Sequence, residues 1–388
     1  MNGGIYLDHA ATTPVRREVR DRLDEAVEST FGNASSIHTF GQDAKRVLDE
    51  SRETVATLIG AEPGEIIFTG GGTESDNLAV RGAAYALKET GNHIITTAIE
   101  HQAVLNCCRS LEAEGFEATY LPVDRSCRVH PEWILDAIRP ETILISVMFA
   151  NSETGAIQPI SEIGEIAGRA GVLFHTDAIQ AVGKVPINVS DLGVDLLSMS
   201  AHKIYGPKGV GGLFVKQGTP LRPIVYGGHH ERNLRPGTEN VPGIAAFARA
   251  LELSIGELPE ARERLALLKE KLASGVEGRI QQVHRNCGPG ECLPNILNMS
   301  FSGVDGEALL MNLDMMGVAV STGSACSSGA TEPSHVLLAM GLEPLLAQAS
   351  LRISFGRDNT EEQVDRVLDI LPDIVNRLRD VGDARAIR

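Results

Sequence analysis

At residues 198–211 the chain reads Ser198-Met199-Ser200-Ala201-His202-Lys203-Ile204-Tyr205-Gly206-Pro207-Lys208-Gly209-Val210-Gly211. Lys203 therefore follows an apolar run and precedes a loop rich in glycine and proline. An amine that attacks a carbonyl needs a lowered pKa, and partial burial at such a position can supply it. The segment predicts an imine-forming lysine. The alternative is a solvated surface lysine, and only residues elsewhere in the chain can distinguish the two.

Outward from this segment, apolar runs rich in β-branched residues alternate with helical stretches. The runs cover residues 65–69, 93–97, 142–148 and 172–176. Such alternation predicts an α/β fold with a mostly parallel sheet that helices cover on both faces. Each run ends on polar or glycine-rich sequence, so we expect those side chains to meet at the carboxyl edge of the sheet.

The length of 388 residues favours two domains. We expect a large α/β domain over residues 15–255 and a smaller α+β domain over residues 256–388, joined by the N-terminal segment 1–14. Apolar residues recur at helical spacing between residues 364 and 378, which predicts a final helix.

Composition restricts the class of partner. Asp and Glu outnumber Lys and Arg by 51 to 35, and the net charge of -16 argues against direct binding of nucleic acid. No apolar run approaches the ~18 residues of a membrane span, and the first residues lack the pattern of a signal peptide. We therefore expect a cytoplasmic protein that does not contact a membrane.

The cysteines predict thiols rather than disulfides. Six cysteines are too few for a disulfide framework in a chain of this length, and none shows the paired Cys-x-x-Cys spacing of a zinc site. We expect free thiols. Cys287 and Cys292 are the one other pair to consider as metal ligands.

A glycine-rich turn, Gly70-Gly71-Gly72-Thr73-Glu74-Ser75, lies between a predicted strand and a helix expected over residues 74–87. Its backbone amides and the positive end of the helix dipole would face an anion, which predicts a phosphate cradle. Ordinary turn chemistry is the alternative. The turn lacks the Lys-Ser/Thr of a nucleoside triphosphate loop and the spacing of the dinucleotide fingerprint.

Polar side chains at other strand ends suit a pyridine ring. Asp177 closes a strand, where its carboxylate could pair with a protonated ring nitrogen or, alternatively, cap a helix. Gln180 could donate to a phenolate oxygen. His101 could stack on the ring and exchange protons, unless it is an ordinary loop histidine. Together with Lys203 and the glycine turn, these residues predict pyridoxal phosphate as the cofactor.

Two further residues bear on the substrate and the reaction. Cys326 lies in the small-residue stretch 321–335, which offers little to bury it against, so we predict an exposed and reactive thiol. Arg352 alternates with Leu351 and Ile353 along a predicted strand. Its guanidinium could bind the carboxylate of an amino acid, with an arginine on the sheet surface as the alternative.

With these residues in place, the chain resembles the cysteine desulfurases of the NifS/IscS type, which are class-V aminotransferases with the fold-type I scaffold. The resemblance is to the group with a long cysteine loop, and it implies a seven-stranded sheet in the large domain. It extends from residue 6 to the strand of Arg352, and its most specific motifs are Ser-Ala-His-Lys at residues 200–203, Arg235-Pro236-Gly237-Thr238-Glu239-Asn240 and Pro333-Ser334-His335-Val336-Leu337.

The resemblance implies a role for each cofactor residue. Lys203 would bind the cofactor, Asp177 would pair with the ring nitrogen, and His101 would stack on the ring and help to move protons. Four residues would hold the phosphate within the chain, and a fifth would reach the phosphate of the neighbouring subunit in a homodimer: Gly72, Thr73, Ser200 and His202, and then Thr238.

The resemblance also implies the substrate contacts and the reaction. Asn151 and Gln180 would bond the oxygen side of the ring, and Asn151 with Arg352 would bind the substrate carboxylate. L-cysteine would give its sulfur to Cys326, which leaves a persulfide on the enzyme and releases L-alanine. An iron-sulfur scaffold protein would accept the sulfur, with transfer-RNA thiolation as a further use. No dedicated metal site is implied, although Cys326 could share an iron-sulfur cluster with a scaffold.

Three departures from the family pattern bear on this site. Gly70 and Gly72 stand where relatives usually have Ser and Ala, Asp76 stands where Asn is usual, and the pair at residues 229–230 is His-His instead of a pattern with glycine. A hydroxyl contact to the phosphate is therefore expected to be missing, while the amide cradle remains.

Two alternatives stay open at this point. Another class-V enzyme, such as an aminotransferase or a selenocysteine lyase, would share Lys203 and Asp177 without needing a cysteine at position 326. A non-catalytic docking protein that retains the fold is the alternative outside the enzymes.

Overall fold

The computed structural model describes residues 4–287, 291–322 and 332–386. The strands in these ranges are β1 (Ile5–Tyr6), β2 (Ile66–Thr69), β3 (His93–Thr97), β4 (Glu117–Leu121), β5 (Thr142–Ser146), β6 (Leu173–Asp177), β7 (Leu196–Ser200), β8 (Gly211–Val215), β9 (Val283–Arg285), β10 (Ile296–Phe301), β11 (Val318–Ala319) and β12 (Ser350–Ser354). The helices are α1 (Arg17–Ser29), α2 (Thr39–Ile59), α3 (Gly72–Leu87), α4 (Gln102–Glu112), α5 (Pro131–Ala137), α6 (Ile160–Ala170), α7 (Val189–Leu192), α8 (Val241–Gly256), α9 (Leu258–Arg279), α10 (Gly306–Met315), α11 (His335–Ala339), α12 (Pro344–Gln348) and α13 (Glu361–Ala386). None of these helices is long and apolar enough to cross a membrane.

Seven strands form a mostly parallel sheet in the order β2-β8-β7-β6-β5-β3-β4, as predicted. Strands β3 to β7 pair in parallel, whereas β8 runs antiparallel to both β2 and β7. The four predicted strands are confirmed to within two residues at their ends. Strand β8 was not predicted because it begins with two glycines, which are rare inside strands.

Two apolar clusters cover the two faces of this sheet. One joins helices α3 and α4 to strand residues such as Ile94 and Leu144. The other packs helices α2, α6 and α8 against residues such as Ile95 and Ile145. Neighbouring strand residues thus enter opposite clusters, which explains why the strands read as continuous apolar runs.

Strands β12, β10 and β9, in that order, form a separate antiparallel sheet. Helices α9 and α13 cover it with an apolar cluster of their own, and α13 contains the predicted final helix. Leu7 joins this cluster, and β1 pairs in parallel with β11. The N-terminal segment therefore packs on C-terminal elements. The predicted domain boundary near residue 255 stays a prediction.

The cysteines agree with the prediction only in part. Cys107, Cys108 and Cys127 are buried free thiols, and burial raises the pKa of Cys107 and of Cys127 to about 12. The prediction is wrong for Cys287 and Cys292, which form a disulfide at a sequence separation of 5. A small number of cysteines argues against a framework of disulfides, but it does not exclude one bridge between two nearby cysteines. A disulfide leaves neither sulfur as a thiolate ligand for a metal.

Candidate active site

The predicted cofactor residues lie at the carboxyl edge of the seven-stranded sheet. Asp177 is the last residue of β6, and Ser200 is the last residue of β7. A short 3-10 turn, Ala201–Lys203, follows β7 and ends at the predicted imine-forming lysine. His101 and Asn151 follow β3 and β5 after short loops. The fold therefore brings together residues that are far apart in the sequence.

The glycine turn and the end of β7 line one open pocket. This pocket contains four predicted phosphate residues: Gly72, Thr73, Ser200 and His202. Gly71 precedes α3 with a φ of 145°, and no side chain caps the helix. The Ser200 hydroxyl is buried and has no hydrogen-bond partner among the described residues. An uncapped helix N-terminus beside an unpaired hydroxyl fits a phosphate group.

Gly211 sets how closely the glycine turn approaches the sheet. A Cβ at this position would lie 2.6 Å from the Met199 carbonyl oxygen and 2.8 Å from the Gly71 Cα atom. Both distances are shorter than real Cβ contacts, so only glycine fits here. The turn therefore packs directly on the start of β8.

Backbone carbonyls near the chain start hold the Lys203 amine. Its Nζ donates to the carbonyl oxygens of Ala10 and Ala11 at 2.5 and 2.8 Å. The charge of Lys203 offsets part of the rise that burial causes in the pKa of Asp177, and it adds to the lowering that burial causes in the pKa of Lys184. The reactive amine, the ring-nitrogen candidate and the N-terminal segment therefore meet at one place.

Asp177 is a buried carboxyl group at the centre of the site. Burial raises its pKa, and the charges of His101 and Lys203 lower it, as does the bond from the Ile179 N–H. This N–H donates to Oδ1 at 2.9 Å, so Asp177 caps the turn that follows β6 and not a helix, which was the alternative prediction. A buried carboxylate near two cationic groups can also pair with a protonated ring nitrogen.

His101 caps the N-terminus of α4. Its Nδ1 accepts a hydrogen bond from the Ala103 N–H at 3.2 Å, so Nε2 is the ring nitrogen that carries the proton in the neutral form. Burial raises the pKa of Asp177 and of Glu153, and the charge of His101 offsets part of this rise. The histidine therefore has a capping role and also lies within electrostatic reach of the site.

The side-chain amides of Asn151 and Gln180 already have partners in the protein. Asn151 Oδ1 accepts from the N–H groups of Glu153 and Thr154 at 2.9 and 3.0 Å, so this side chain shapes the loop after β5. Gln180 Nε2 donates to the carbonyl oxygen of Ala10 at 2.9 Å. The contacts of both amides with the cofactor or the substrate stay predictions.

Arg352 is 2% exposed, so the alternative of an arginine on the sheet surface is wrong. Its Nη2 donates to Asp8 Oδ1 at 2.8 Å, and its Nη1 donates to the Ser152 carbonyl at 3.2 Å. Its Nε is buried and has no hydrogen-bond partner among the described residues. A buried guanidinium that binds one carboxylate and keeps an unused donor suits a carboxylate substrate.

Sequence reasoning missed three ionisable residues near this site. Burial raises the pKa of Glu100 to about 8 and that of Glu153 to about 7. Burial, followed by the charge of Lys203, lowers the pKa of Lys184 to about 7. Each lies within four positions of a predicted site residue, and that proximity was the only signal available, because sequence alone does not show burial.

Two predicted residues are not placed in the site. Cys326 lies outside the described residues. Thr238 is exposed, and it is not among the described residues that line the phosphate pocket.

Residues just after the undescribed segment 323–331 contact the loops that follow β3 and β5. Ser334 Oγ donates to Glu153 Oε2, and His335 Nε2 donates to the Glu100 carbonyl at 3.0 Å.

Comparison with known proteins identifies the family. The family Aminotransferase class-V matches residues 5–367. Cysteine desulfurase IscS from Dictyoglomus turgidum (strain DSM 6724 / Z-1310) is 50% identical over 382 residues, which cover 98% of this chain and 97% of the relative. Putative cysteine desulfurase IscS 1 from Bacillus subtilis (strain 168) is 48% identical over 375 residues, or 96% of this chain and 99% of the relative.

The solved structures agree with the curated relatives. A NifS-like protein superposes with a TM-score of 0.91 at 38% identity, and the match covers 97% of this chain and 100% of that protein. These findings favour the cysteine desulfurase prediction over the aminotransferase, selenocysteine lyase and docking-protein alternatives. The chain belongs to the class-V aminotransferase family, within the pyridoxal-phosphate-dependent cysteine desulfurases of the NifS/IscS type.

Proposed function

We propose that this cysteine desulfurase transfers the sulfur of L-cysteine to Cys326, using the residues at the sheet edge to hold cofactor and substrate. The observation that carries this proposal is the meeting of three features at one edge: the Lys203 amine, the buried Asp177 carboxyl and the phosphate cradle with the unpaired Ser200 hydroxyl. Pyridoxal phosphate, when bound, supplies an electrophilic carbon for an amine and a ring that accepts electrons.

Each cofactor residue has a physical task in this proposal. The α3 N-terminus binds the phosphate through Gly72 and Thr73, and Ser200 and His202 complete the cradle from the other side. Asp177 neutralises the protonated ring nitrogen, which in turn compensates the burial of the carboxylate. Three further residues would hold the ring: His101, Asn151 and Gln180.

Arg352 binds the substrate carboxylate in this proposal. Water cannot compete well at a guanidinium that is 2% exposed, so a charge-assisted bond there is stronger than on the surface. Asp8 holds one side of the guanidinium and fixes its orientation. Ser152, whose carbonyl bonds the same guanidinium, is adjacent in sequence to Asn151, which is the second proposed contact of this carboxylate.

Lys203 moves the α-proton of the substrate once its amine is released, and the Nε2 atom of His101 assists. Both groups lie close enough to Asp177 to lower its pKa. A lysine amine and an imidazole are suited to this proton transfer near neutral pH.

The sulfur transfer balances without an external oxidant or reductant. The Cβ–Sγ bond of the substrate breaks while an S–S bond forms at Cys326. The electron pair of the broken bond remains at Cβ, which takes up a proton to complete L-alanine. The substrate's sulfur stays on Cys326 as a persulfide, so one cysteine and one thiol give one alanine and one persulfide.

Replacement of Cys326 tests this proposal. We expect Cys326→Ala to retain the visible absorption of bound cofactor and to release no sulfide from L-cysteine in the presence of a reducing thiol. Mass spectrometry of the wild type after incubation with cysteine should locate one added sulfur atom on the peptide that contains Cys326. Ser327→Ala is the matched control, with turnover as in the wild type. Undiminished sulfide release by Cys326→Ala would refute the role of this thiol.

We also propose that the enzyme is a cytoplasmic homodimer in which Thr238 reaches the cofactor phosphate of the partner subunit. The exposure of Thr238 in the single chain supports this assignment. An iron-sulfur scaffold protein is the proposed acceptor of the persulfide sulfur, with transfer-RNA thiolation as a second use. Incubation of isotope-labelled persulfide enzyme with a scaffold protein, followed by measurement of label on the scaffold, tests the first destination.

A further inference from the structure

We propose that Lys184 is a positioning residue that fixes the side-chain amide of Gln180, so that the NH₂ group and not the oxygen faces the cofactor ring. The inference rests on the proposed function, in which Gln180 bonds the oxygen side of the ring. It adds a residue that neither the motifs nor the resemblance assigns.

The amide of glutamine has two ends of nearly the same shape but of opposite hydrogen-bonding character. The oxygen accepts and the NH₂ group donates, so a rotation by half a turn would reverse what the side chain offers to a ligand. A phenolate oxygen on the cofactor needs a donor. The useful orientation of Gln180 must therefore be imposed by the groups around it.

Lys184 imposes that orientation from the protein side. Its Nζ donates to Gln180 Oε1 at 3.0 Å and to the backbone carbonyl of Gln180 at 3.0 Å. An ammonium group has donors only, and the neutral amine still has N–H groups to donate, so either form selects the oxygen end of the amide. The opposite end, Nε2, then points to the carbonyl oxygen of Ala10 at 2.9 Å.

The contact with Ala10 places this donor beside the reactive amine. The same carbonyl oxygen accepts from Lys203 Nζ at 2.5 Å. In pyridoxal phosphate the phenolic oxygen is attached to the ring carbon next to the one that bears the aldehyde. A donor that shares an acceptor with Lys203 is therefore located on the side where this oxygen belongs.

Burial of the Lys184 amine costs desolvation free energy, so we expect this side chain to have a function. Burial lowers the pKa of its amine, and the charge of Lys203 lowers it further. Lys184 also lines the cavity that reaches Lys203 from the side of helices α8 and α9. A methionine would fill similar space without desolvating a charge.

A double-mutant cycle on cofactor affinity tests the inference. The variants are Lys184→Met, Gln180→Ala and the combination of both, each prepared as the cofactor-free protein and titrated with pyridoxal phosphate by visible absorbance. We expect each single variant to weaken binding on the order of five-fold, as for the loss of one hydrogen bond. The double variant should bind no more weakly than Gln180→Ala alone, because Lys184 acts through that side chain.

Two control variants separate positioning from general damage. Lys216→Met removes an exposed lysine from the far side of β8 and should leave the affinity unchanged. Lys184→Arg retains N–H donors toward the amide and should restore binding to within about two-fold of the wild type. If Lys184→Met does not fold, Lys184→Gln takes its place in the cycle, with circular dichroism as the check of folding.

The outcomes distinguish this inference from the proposed function. Normal affinity of Lys184→Met beside weak binding by Gln180→Ala would refute the role of Lys184 alone. Additive losses in the double variant would show that Lys184 acts by another route, which also overturns the inference. Normal affinity of Gln180→Ala would refute the assignment of Gln180 itself.

Discussion

A second buried carboxyl group, that of Asp76, lies within electrostatic reach of Asp177. Asp76 is fully buried, and its Oδ1 lies 3.7 Å from Nε2 of His175, which is also buried. Burial, and then the charge of Asp177, raises the pKa of Asp76 well above its usual range. Asp76 therefore loses its proton less readily than an exposed aspartate, and a negative charge on Asp177 strengthens this effect.

Glu100 gives a testable pH dependence of stability. Its Oε1 accepts from Thr97 Oγ1 at 2.8 Å and from the Met148 N–H at 2.9 Å, while burial raises its pKa from 4.5 to about 8. Between these two pH values the folded protein retains a proton that the unfolded chain releases, so stability falls as pH rises. Glu100→Gln keeps both accepted bonds and removes the titration.

We therefore expect Glu100→Gln to match the wild type near pH 4.5 and to exceed it by a growing margin up to pH 8. The margin is a few kcal/mol at most, at about 1.4 kcal/mol for each pKa unit. Urea unfolding of the cofactor-free proteins at several pH values measures it. A difference that stays constant with pH would show that Glu100 does not titrate in this range.

Arg352 gives a second prediction for a single residue. Arg352→Lys keeps the positive charge but loses the planar pair of donors, so we expect the KM for L-cysteine to rise roughly tenfold or more. The absorption of the bound cofactor should be unchanged, because Arg352 is assigned to the substrate. Arg285→Lys, which changes an arginine paired with surface glutamates, is the matched control. An unchanged KM would contradict the assignment of Arg352.

For single residues, the sequence predicts ionisable side chains that lie in a recognisable motif. It does not predict those whose pKa is changed by burial. Lys203 and Asp177 were predicted because each follows an apolar strand. The buried state of Glu100 depends on helices and loops that approach from distant parts of the chain. The contact between Asp8 and Arg352 spans 344 positions, and no local pattern indicates it.

Among the elements, the turn before α3 depends on how closely β8 approaches it. We expect Gly211→Ala to displace this turn, because the added Cβ would lie 2.8 Å from the Gly71 Cα atom. Cofactor affinity should fall strongly while the far-ultraviolet circular dichroism stays near that of the wild type. Gly168→Ala, where nothing lies within 4 Å of the added Cβ, should bind the cofactor normally. Normal affinity of Gly211→Ala would contradict this view of the cradle.

Elements with a continuous apolar core were predictable, whereas exposed or glycine-containing ones were not. Strand β5 is buried along its whole length, and its three central residues, Ile143-Leu144-Ile145, are all apolar. Strand β4 lies at the sheet edge, and four of its five residues keep some exposure, so its sequence Glu-Ala-Thr-Tyr-Leu has no clear strand pattern. The disulfide between Cys287 and Cys292 was missed because it requires knowledge of where the backbone turns.

For the whole molecule, apolar side chains on the surface support the proposed homodimer. Ile37 is 94% exposed and Phe31 is 71% exposed, and the Phe31 ring lies 5.2 Å from that of Phe40. This surface lies near the start of α2, which packs on the start of α8 a few residues after Thr238. A second copy of the chain would bury both the apolar surface and the Thr238 segment.

We therefore expect Ile37→Asp to shift the protein from dimer to monomer, because a buried charge at the interface is unfavourable. Light scattering after gel filtration should then give about 41.5 kDa, the mass of a single chain. The monomer should also retain cofactor poorly. Leu267→Asp, at a residue that is also exposed but lies on α9, should remain a dimer. A dimeric Ile37→Asp protein would place the interface elsewhere.

The contacts of the N-terminal segment also fix when the site can form during synthesis. The Ala10 N–H donates to Ser354 Oγ, and Asp8 bonds Arg352, both across 344 positions. Asp8 and Ala10 must therefore wait for β12, whose contacting residues are synthesised 344 positions later. A nascent chain can fold its central sheet earlier. The contacts of the N-terminal segment with β12 form only after translation has passed residue 354. The site is thus completed only late in synthesis, after most of the chain has been made.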